Sequence, residues 1–157
     1  MRESLRQAGQ RVMAGFEGHE ASAEIKALIR GYGVTHVVLF ARNVASPEQL
    51  AELVRELQSL AREAGHDLPL MVAVDQEGGR VARLREPWTV WPPLRAVGRL
   101  GSVEHARRMG EALAAELKAC GIGWDFAPVV DVDTNPKNPV IGDRSFGSDP
   151  GLVGRLG

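Results

Sequence analysis

Short apolar runs rich in β-branched residues alternate with segments of helical period along almost the whole chain, and that alternation confines it to one fold class. Residues about 10–16 (Gln-Arg-Val-Met-Ala-Gly-Phe) read as a first strand. Residues 21–30 place Ile25, Leu28 and Ile29 on one helical face, and Gly31 and Gly33 can stop that helix. Residues 34–40 form a second strand. In the next helix Ser46 is a natural N-cap, Pro47 suits the first helical position and Gln49 completes a capping box. Leu50, Leu53, Val54, Leu57, Leu60 and Ala61 then line one face, with Gly65 as the stop. Residues 68–74 are apolar on both faces, as in a buried parallel strand.

A loop rich in Pro, Trp and Arg follows from residue 78 to about 101. Ser102 caps a helix whose stripe is Ala106, Met109, Leu113 and Leu117, and residues 122–126 form a fourth strand. An irregular segment runs to Asp149, where Asp149-Pro150 starts another helix with Leu152, Val153 and Leu156 on its apolar side.

Four β-then-α units in succession imply an α/β fold with a parallel sheet. They could close as a small doubly wound domain or form half of an eight-stranded (β/α)8 barrel of the TIM type, which typically needs about 250 residues. The pattern breaks off inside a helix, which favours the second. Residues 1–157 are then the N-terminal part of a single barrel domain, truncated at its C-terminus after about four units. Such a piece leaves two sheet edges open, a surface suited to self-association.

The composition restricts partners. An apolar fraction of 44% and a charged fraction of 25% are those of a globular domain, and a net charge of −1 advertises neither nucleic acid nor an anionic membrane. No stretch approaches the roughly 18 apolar residues of a membrane helix, and the first residues lack a signal-peptide core. The lone Cys120 excludes an intrachain disulfide and reads as a small apolar residue near a helix end, which suits a reducing, cytoplasmic setting.

Two constellations could carry chemistry. The first, Asp75-Gln-Glu-Gly-Gly-Arg80-Val-Ala-Arg83, opens at the carboxyl end of the third strand, where parallel α/β proteins place ligand groups. Its glycines permit a tight turn and close backbone approach to a ligand. Its arginines could hold hydroxyl or carboxylate groups, or pair with Asp75 merely to close the loop. The second is Asp125-Phe-Ala-Pro-Val-Val-Asp131-Val-Asp133-Thr-Asn135-Pro-Lys137-Asn138-Pro-Val-Ile-Gly-Asp143-Arg144-Ser-Phe-Gly, a shaped loop dense in Asp, Asn, Pro and Gly, beginning on the same rim as Asp75. A hard-metal site on Asp131 and Asp133 is conceivable. The simpler account makes Asp131, Asp133 and Asp143 turn caps or partners of Arg144 and Lys137.

Taken together, these motifs resemble the N-terminal half of a family 3 glycoside hydrolase, most closely the bacterial β-N-acetylhexosaminidases of peptidoglycan recycling. Phe40-Ala-Arg-Asn43 fits the same pattern. The resemblance implies a barrel hydrolase that removes terminal N-acetylglucosamine with retention, without a cofactor or metal. It also implies that Asp75, Arg83 and Arg144 hold the hydroxyls of the non-reducing sugar. The family's nucleophile (an Asp on a later strand), its His–Asp acid/base pair and a Lys-His sugar-binding pair fall outside these 157 residues. No catalytic residue is therefore assigned here, and neither Asp75 nor Glu77 is taken as nucleophile. His19, His36, His66 and His105 read as structural or solvated.

The expectation is a sugar-binding half, inactive alone. The alternatives are a family 3 β-glucosidase, a non-catalytic half-barrel that binds sugar or self-associates, and a metal-dependent lyase or phosphatase resting on Asp131 and Asp133.

Overall fold

The computed structural model describes residues 2–157. In chain order these are helix α1 (Arg2–Gly9), strand β1 (Met13–Ala14), helix α2 (Ala23–Tyr32), strand β2 (His36–Leu39), helix α3 (Pro47–Glu63), strand β3 (Met71–Val74), helix α4 (Leu94–Leu100), helix α5 (Val103–Ala119), strand β4 (Trp124–Asp125) and helix α6 (Pro150–Leu156). Contacts divide the chain into two compact units. The first runs up to Val74 and resumes for Leu117–Asp125; the second comprises Asp75–Glu116 and Phe126–Gly157.

The first unit holds a four-stranded sheet, parallel throughout, in the order β1-β2-β3-β4. Met13 lies beside His36, His36 beside Met71, and Val74 beside Asp125. A doubly wound sheet reverses its order at a switch point. This one does not, so the α/β fold is that of a partial (β/α)8 barrel. The paired strands are shorter than the apolar runs that produce them. Phe16, Val34 and Leu70 lie beyond the ladders yet are buried, so burial extends further than pairing.

Helix α3 follows its sequence closely. All six residues of the expected stripe are buried, Leu50 and Leu57 completely. Ser46 Oγ accepts from Gln49 N at 3.2 Å. The reciprocal half of the capping box does not form: Gln49 Oε1 accepts from Ala45 N at 2.8 Å, while its Nε2 donates to His19 O at 2.7 Å and Asn43 O at 3.2 Å. The long amide side chain finds better partners one residue further back. At the other end Gly65 takes φ +72°, Gly65 N donates to Arg62 O and His66 N to Ala61 O, the paired bonds of a Schellman stop. Helix α2 is capped by Ser22 and runs through Gly31, stopping at left-handed Gly33.

Asn43 joins two loops of this unit. It is fully buried; its Oδ1 accepts from Phe40 N, and its Nδ2 donates to Phe16 O and Gly18 O.

The second unit has its own core of Leu94, Val97, Val129, Phe146, Val153 and Leu156, against which Ala106, Met109, Val132 and Leu152 pack. Asp149 caps α6 through Gly151 N at 2.9 Å, as expected.

Two helices depart from the sequence reading. Helix α1 occupies a charged stretch with too few apolar residues to mark a stripe, and it packs on α2. Helix α4 lies within the segment expected to be loop. Leu94, Val97 and Gly98 are its buried face at helical spacing, and Gly101 ends it at φ +62°. The preceding Pro92-Pro93 and its brevity hid that signal.

Candidate functional site

Asp75 directly follows the last residue of β3, and Phe126 the last residue of β4. From those two points the chain builds a site wholly within the second unit.

The residues of the 75–83 motif serve different ends. Oδ2 of Asp75 accepts from Arg83 Nη2 at 2.9 Å, and both side chains stay partly exposed. Gln76 is buried, and its Oε1 accepts from Arg83 N at 2.8 Å and Leu84 N at 3.0 Å while its Nε2 donates to Leu84 O at 2.8 Å. A side-chain amide thus acts as a short strand partner and fixes the backbone that carries Arg83. Glu77 accepts from Arg144 Nε and Nη2, each at 2.7 Å.

The two glycines are needed for the chain's own packing. At Gly78 (φ +90°) a Cβ would collide with the Pro92 carbonyl, and at Gly79 (φ +57°) it would lie 2.7 Å from Pro93 Cβ. The expected close approach is thus made by the 91–93 segment. Arg80 holds the other loop: its Nη2 donates to Pro139 O and Ile141 O at 3.0 and 3.2 Å, and its Nε to Asp143 Oδ1 at 3.2 Å.

Two acids of the second constellation have ion-pair partners, though not the expected ones. Asp133 pairs with Arg95 of α4 at 2.6 Å, and Asp143 with Arg80. Arg144 and Lys137 do not bind them because Glu77 has taken Arg144, while Lys137 is exposed. Arg95 also donates to Gly142 O and Ser145 O, and the buried Ser145 hydroxyl lies 2.6 Å from Asp131 O. Sequence reasoning missed Arg95, Gln76 and Glu77 in these roles. For Glu77 the available signal was a second carboxylate two residues from Asp75 in the same motif.

Electrostatics tie the two loops together. The pKa of Arg144 is raised, first by its hydrogen bonds to Glu77; desolvation opposes this, and the charges of Glu77, Asp131 and Asp75 add to it. The three residues assigned from the sequence therefore meet in one field. Asp75 and Arg83 are in direct contact, and Arg144 feels Asp75 without bonding it. A guanidinium carries five N–H donors; Nε and Nη2 of Arg144 reach Glu77 and Nη1 reaches Val140 O, which leaves donors for a ligand. An acidic acceptor between partly exposed guanidinium groups suits a polyhydroxylated molecule.

Three of the four histidines are engaged away from the site: His36 with Thr35 Oγ1, His66 with Ile29 O and His105 with Ser102 Oγ. Cys120 is a buried free thiol. Among the described residues no three His, Cys, Asp or Glu side chains are grouped to hold a metal ion, and no helix is long and apolar enough to cross a membrane. A cleft of about 620 Å³ in the first unit, near the amino-terminal ends of β2 and β3, includes none of the motif residues.

Residues 2–157 match the glycosyl hydrolase family 3 N-terminal domain. A beta-hexosaminidase of Nitrosomonas eutropha is 46% identical over 126 residues, which cover 76% of this chain and 34% of the relative. The solved family 3 beta-N-acetylglucosaminidase of a Paenibacillus species superposes with a TM-score of 0.94 at 45% identity, over 98% of this chain and 29% of that one. The beta-N-acetylhexosaminidase of Beutenbergia cavernae gives 0.87 at 33% identity, over 97% and 47%. The chain spans less than half the length of each. On this match along nearly all of its residues, the chain belongs to glycosyl hydrolase family 3.

Proposed function

We propose that this chain is the sugar-recognition half of a retaining β-N-acetylhexosaminidase that removes terminal β-linked N-acetylglucosamine from peptidoglycan fragments in the cytoplasm. Asp75, Arg83 and Arg144 bind the hydroxyls of the non-reducing sugar. The observation that carries this reading is the Asp75–Arg83 pair, partly open to solvent, with Arg144 in the field of the same carboxylate. The names of the similar proteins support the substrate class. The single buried thiol supports the compartment.

Binding without turnover is the behaviour expected of this chain, and three acids beside the site being held by arginines supports this. Retention needs a nucleophile and an acid/base group about 5–5.5 Å apart across the scissile bond. Here Glu77 is held by Arg144, Asp133 by Arg95 and Asp143 by Arg80. N-acetylglucosamine should therefore bind the 157-residue chain, seen as NMR shifts at the Arg83 and Arg144 guanidinium signals, while an aryl N-acetylglucosaminide is not hydrolysed. Turnover at a rate comparable to a full-length relative would overturn the inactive-half reading. Preference for glucose over N-acetylglucosamine would favour the β-glucosidase alternative.

The open sheet favours a second reading, a non-catalytic protein that self-associates. Among the described residues β1 pairs with β2 alone and β4 with β3 alone, which leaves two unpaired edges. A monodisperse monomer in sedimentation would dispose of it.

A further inference from the structure

The two carboxylates of the motif differ in a way that assigns each a task. Asp75 is 27% exposed at its side chain and bonds Arg83 through one oxygen. Glu77 is 5% exposed, and both of its oxygens are committed to Arg144, at 2.7 Å to Nε and 2.7 Å to Nη2. A carboxylate so enclosed cannot also reach a sugar. It fixes the plane of the guanidinium, because a side-by-side pair through Nε and Nη2 leaves the group no freedom to turn about its long axis.

We infer that Glu77 is the positioning residue for Arg144, acting on the sugar only through the orientation it imposes on that guanidinium. The inference rests on the sugar-site reading above. It explains why so buried a charge sits beside the site when a neutral residue would pack at less desolvation cost. The loop around Arg144 is already anchored by Arg80 on the carbonyls of Pro139 and Ile141 and by Arg95 on those of Gly142 and Ser145. Glu77 is therefore not needed to hold the backbone there. Its distinct contribution is to the side chain.

A double-mutant cycle on the 157-residue chain tests this, with N-acetylglucosamine affinity measured by NMR titration of Glu77→Gln, Arg144→Gln and the double variant. Glu77→Gln should weaken binding about tenfold, roughly 1.4 kcal/mol. Glu77→Asp, which keeps the charge, should recover part of that. The double variant should bind no more weakly than Arg144→Gln alone, because a residue acting through another has nothing to add once that other is gone. Losses that add would mean that Glu77 acts on the sugar directly and would overturn the inference, as would wild-type affinity in Glu77→Gln.

The sugar-free spectrum gives a second readout that survives poor folding of any variant. In the unsubstituted chain the Arg144 Nε–H should be protected from exchange, with its Nη protons resolved. Averaged signals like those of the exposed Arg55 would overturn the clamp. Absence of sugar binding by the unsubstituted chain would remove the sugar-site reading and this inference together, whereas binding untouched by Glu77→Gln would remove the inference alone.

Discussion

Arg83 Nη2 donates to Asp75 Oδ2 at 2.9 Å while both side chains remain about a quarter exposed, at 26% and 27%. Ion pairs open to water contribute about 0–1 kcal/mol to stability, so this one is poorly explained as a structural fastener. Asp75→Asn should lower Tm by no more than about 2–4 °C. It should weaken N-acetylglucosamine binding by about tenfold or more, as expected when a charged hydrogen-bonding partner is lost. Calorimetry and an NMR titration of the same sample separate the two effects. A large fall in Tm with unchanged affinity would make the pair a loop closure.

Gln76 should be a far more sensitive position. Replacing it with Ala strips partners from Arg83 N, Leu84 N and Leu84 O, the two Leu84 groups being buried away from water. The expected loss is about 2–4 kcal/mol in urea unfolding, with weaker sugar binding because the backbone under Arg83 loosens. Stability within error of the parent would show that the 83–84 segment holds its shape without the amide.

Two helical glycines should respond oppositely to the same change. A Cβ on Gly98 would fall well inside contact distance of the Phe146 carbonyl, whereas one on Gly110 meets nothing within 4 Å. Gly98→Ala should destabilise by about 1–3 kcal/mol through overpacking. Gly110→Ala should stabilise by about 0.5–1 kcal/mol by restricting the unfolded chain. Equal shifts of either sign would contradict the close packing of α4 on Phe146.

Glu56 provides a pH handle in the first unit. Burial pushes its carboxyl up, but hydrogen bonds from Lys26 and the Ala21 N–H, together with the Lys26 charge, outweigh this and leave the pKa below 4.5. A lowered folded pKa means that the unfolded chain takes up the proton more readily. The contribution is then complete above the unfolded value and is lost as pH falls through the folded one. The stability gap between the parent and Glu56→Gln should therefore be present near about pH 6 and shrink by about pH 3. A gap that grows on acidification would reverse the sign.

Features decided within a turn or two of chain were legible in the residues. The buried stripe of α3, its Ser46 cap, the stop at Gly65 and the Asp149 start of α6 were all anticipated, because period and capping depend on neighbours three or four positions away. The parallel α/β class followed from the same local units in succession. Helix α4 carried a signal too, its apolar residues three and four apart, but two prolines and a seven-residue length made it easy to mistake for loop.

Which side chain meets which was another matter. Asp75, Arg83 and Arg144 could be singled out by type and by their place after strands. That Glu77 would take Arg144, 67 positions away, that Arg95 would take Asp133 and that Arg80 would take Asp143 depended on loop closure over tens of residues. Each arginine had several acids within plausible reach along the chain, and only the folded backbone sets the distances that choose among them. Sequence alone therefore determined the parallel α/β class, most of the elements and the chemical types at the site, while α1 and α4 emerged only in the fold. The tertiary structure decided the pairing, because charge and hydrogen bonding act through space over a few ångströms and carry no record of separation along the chain.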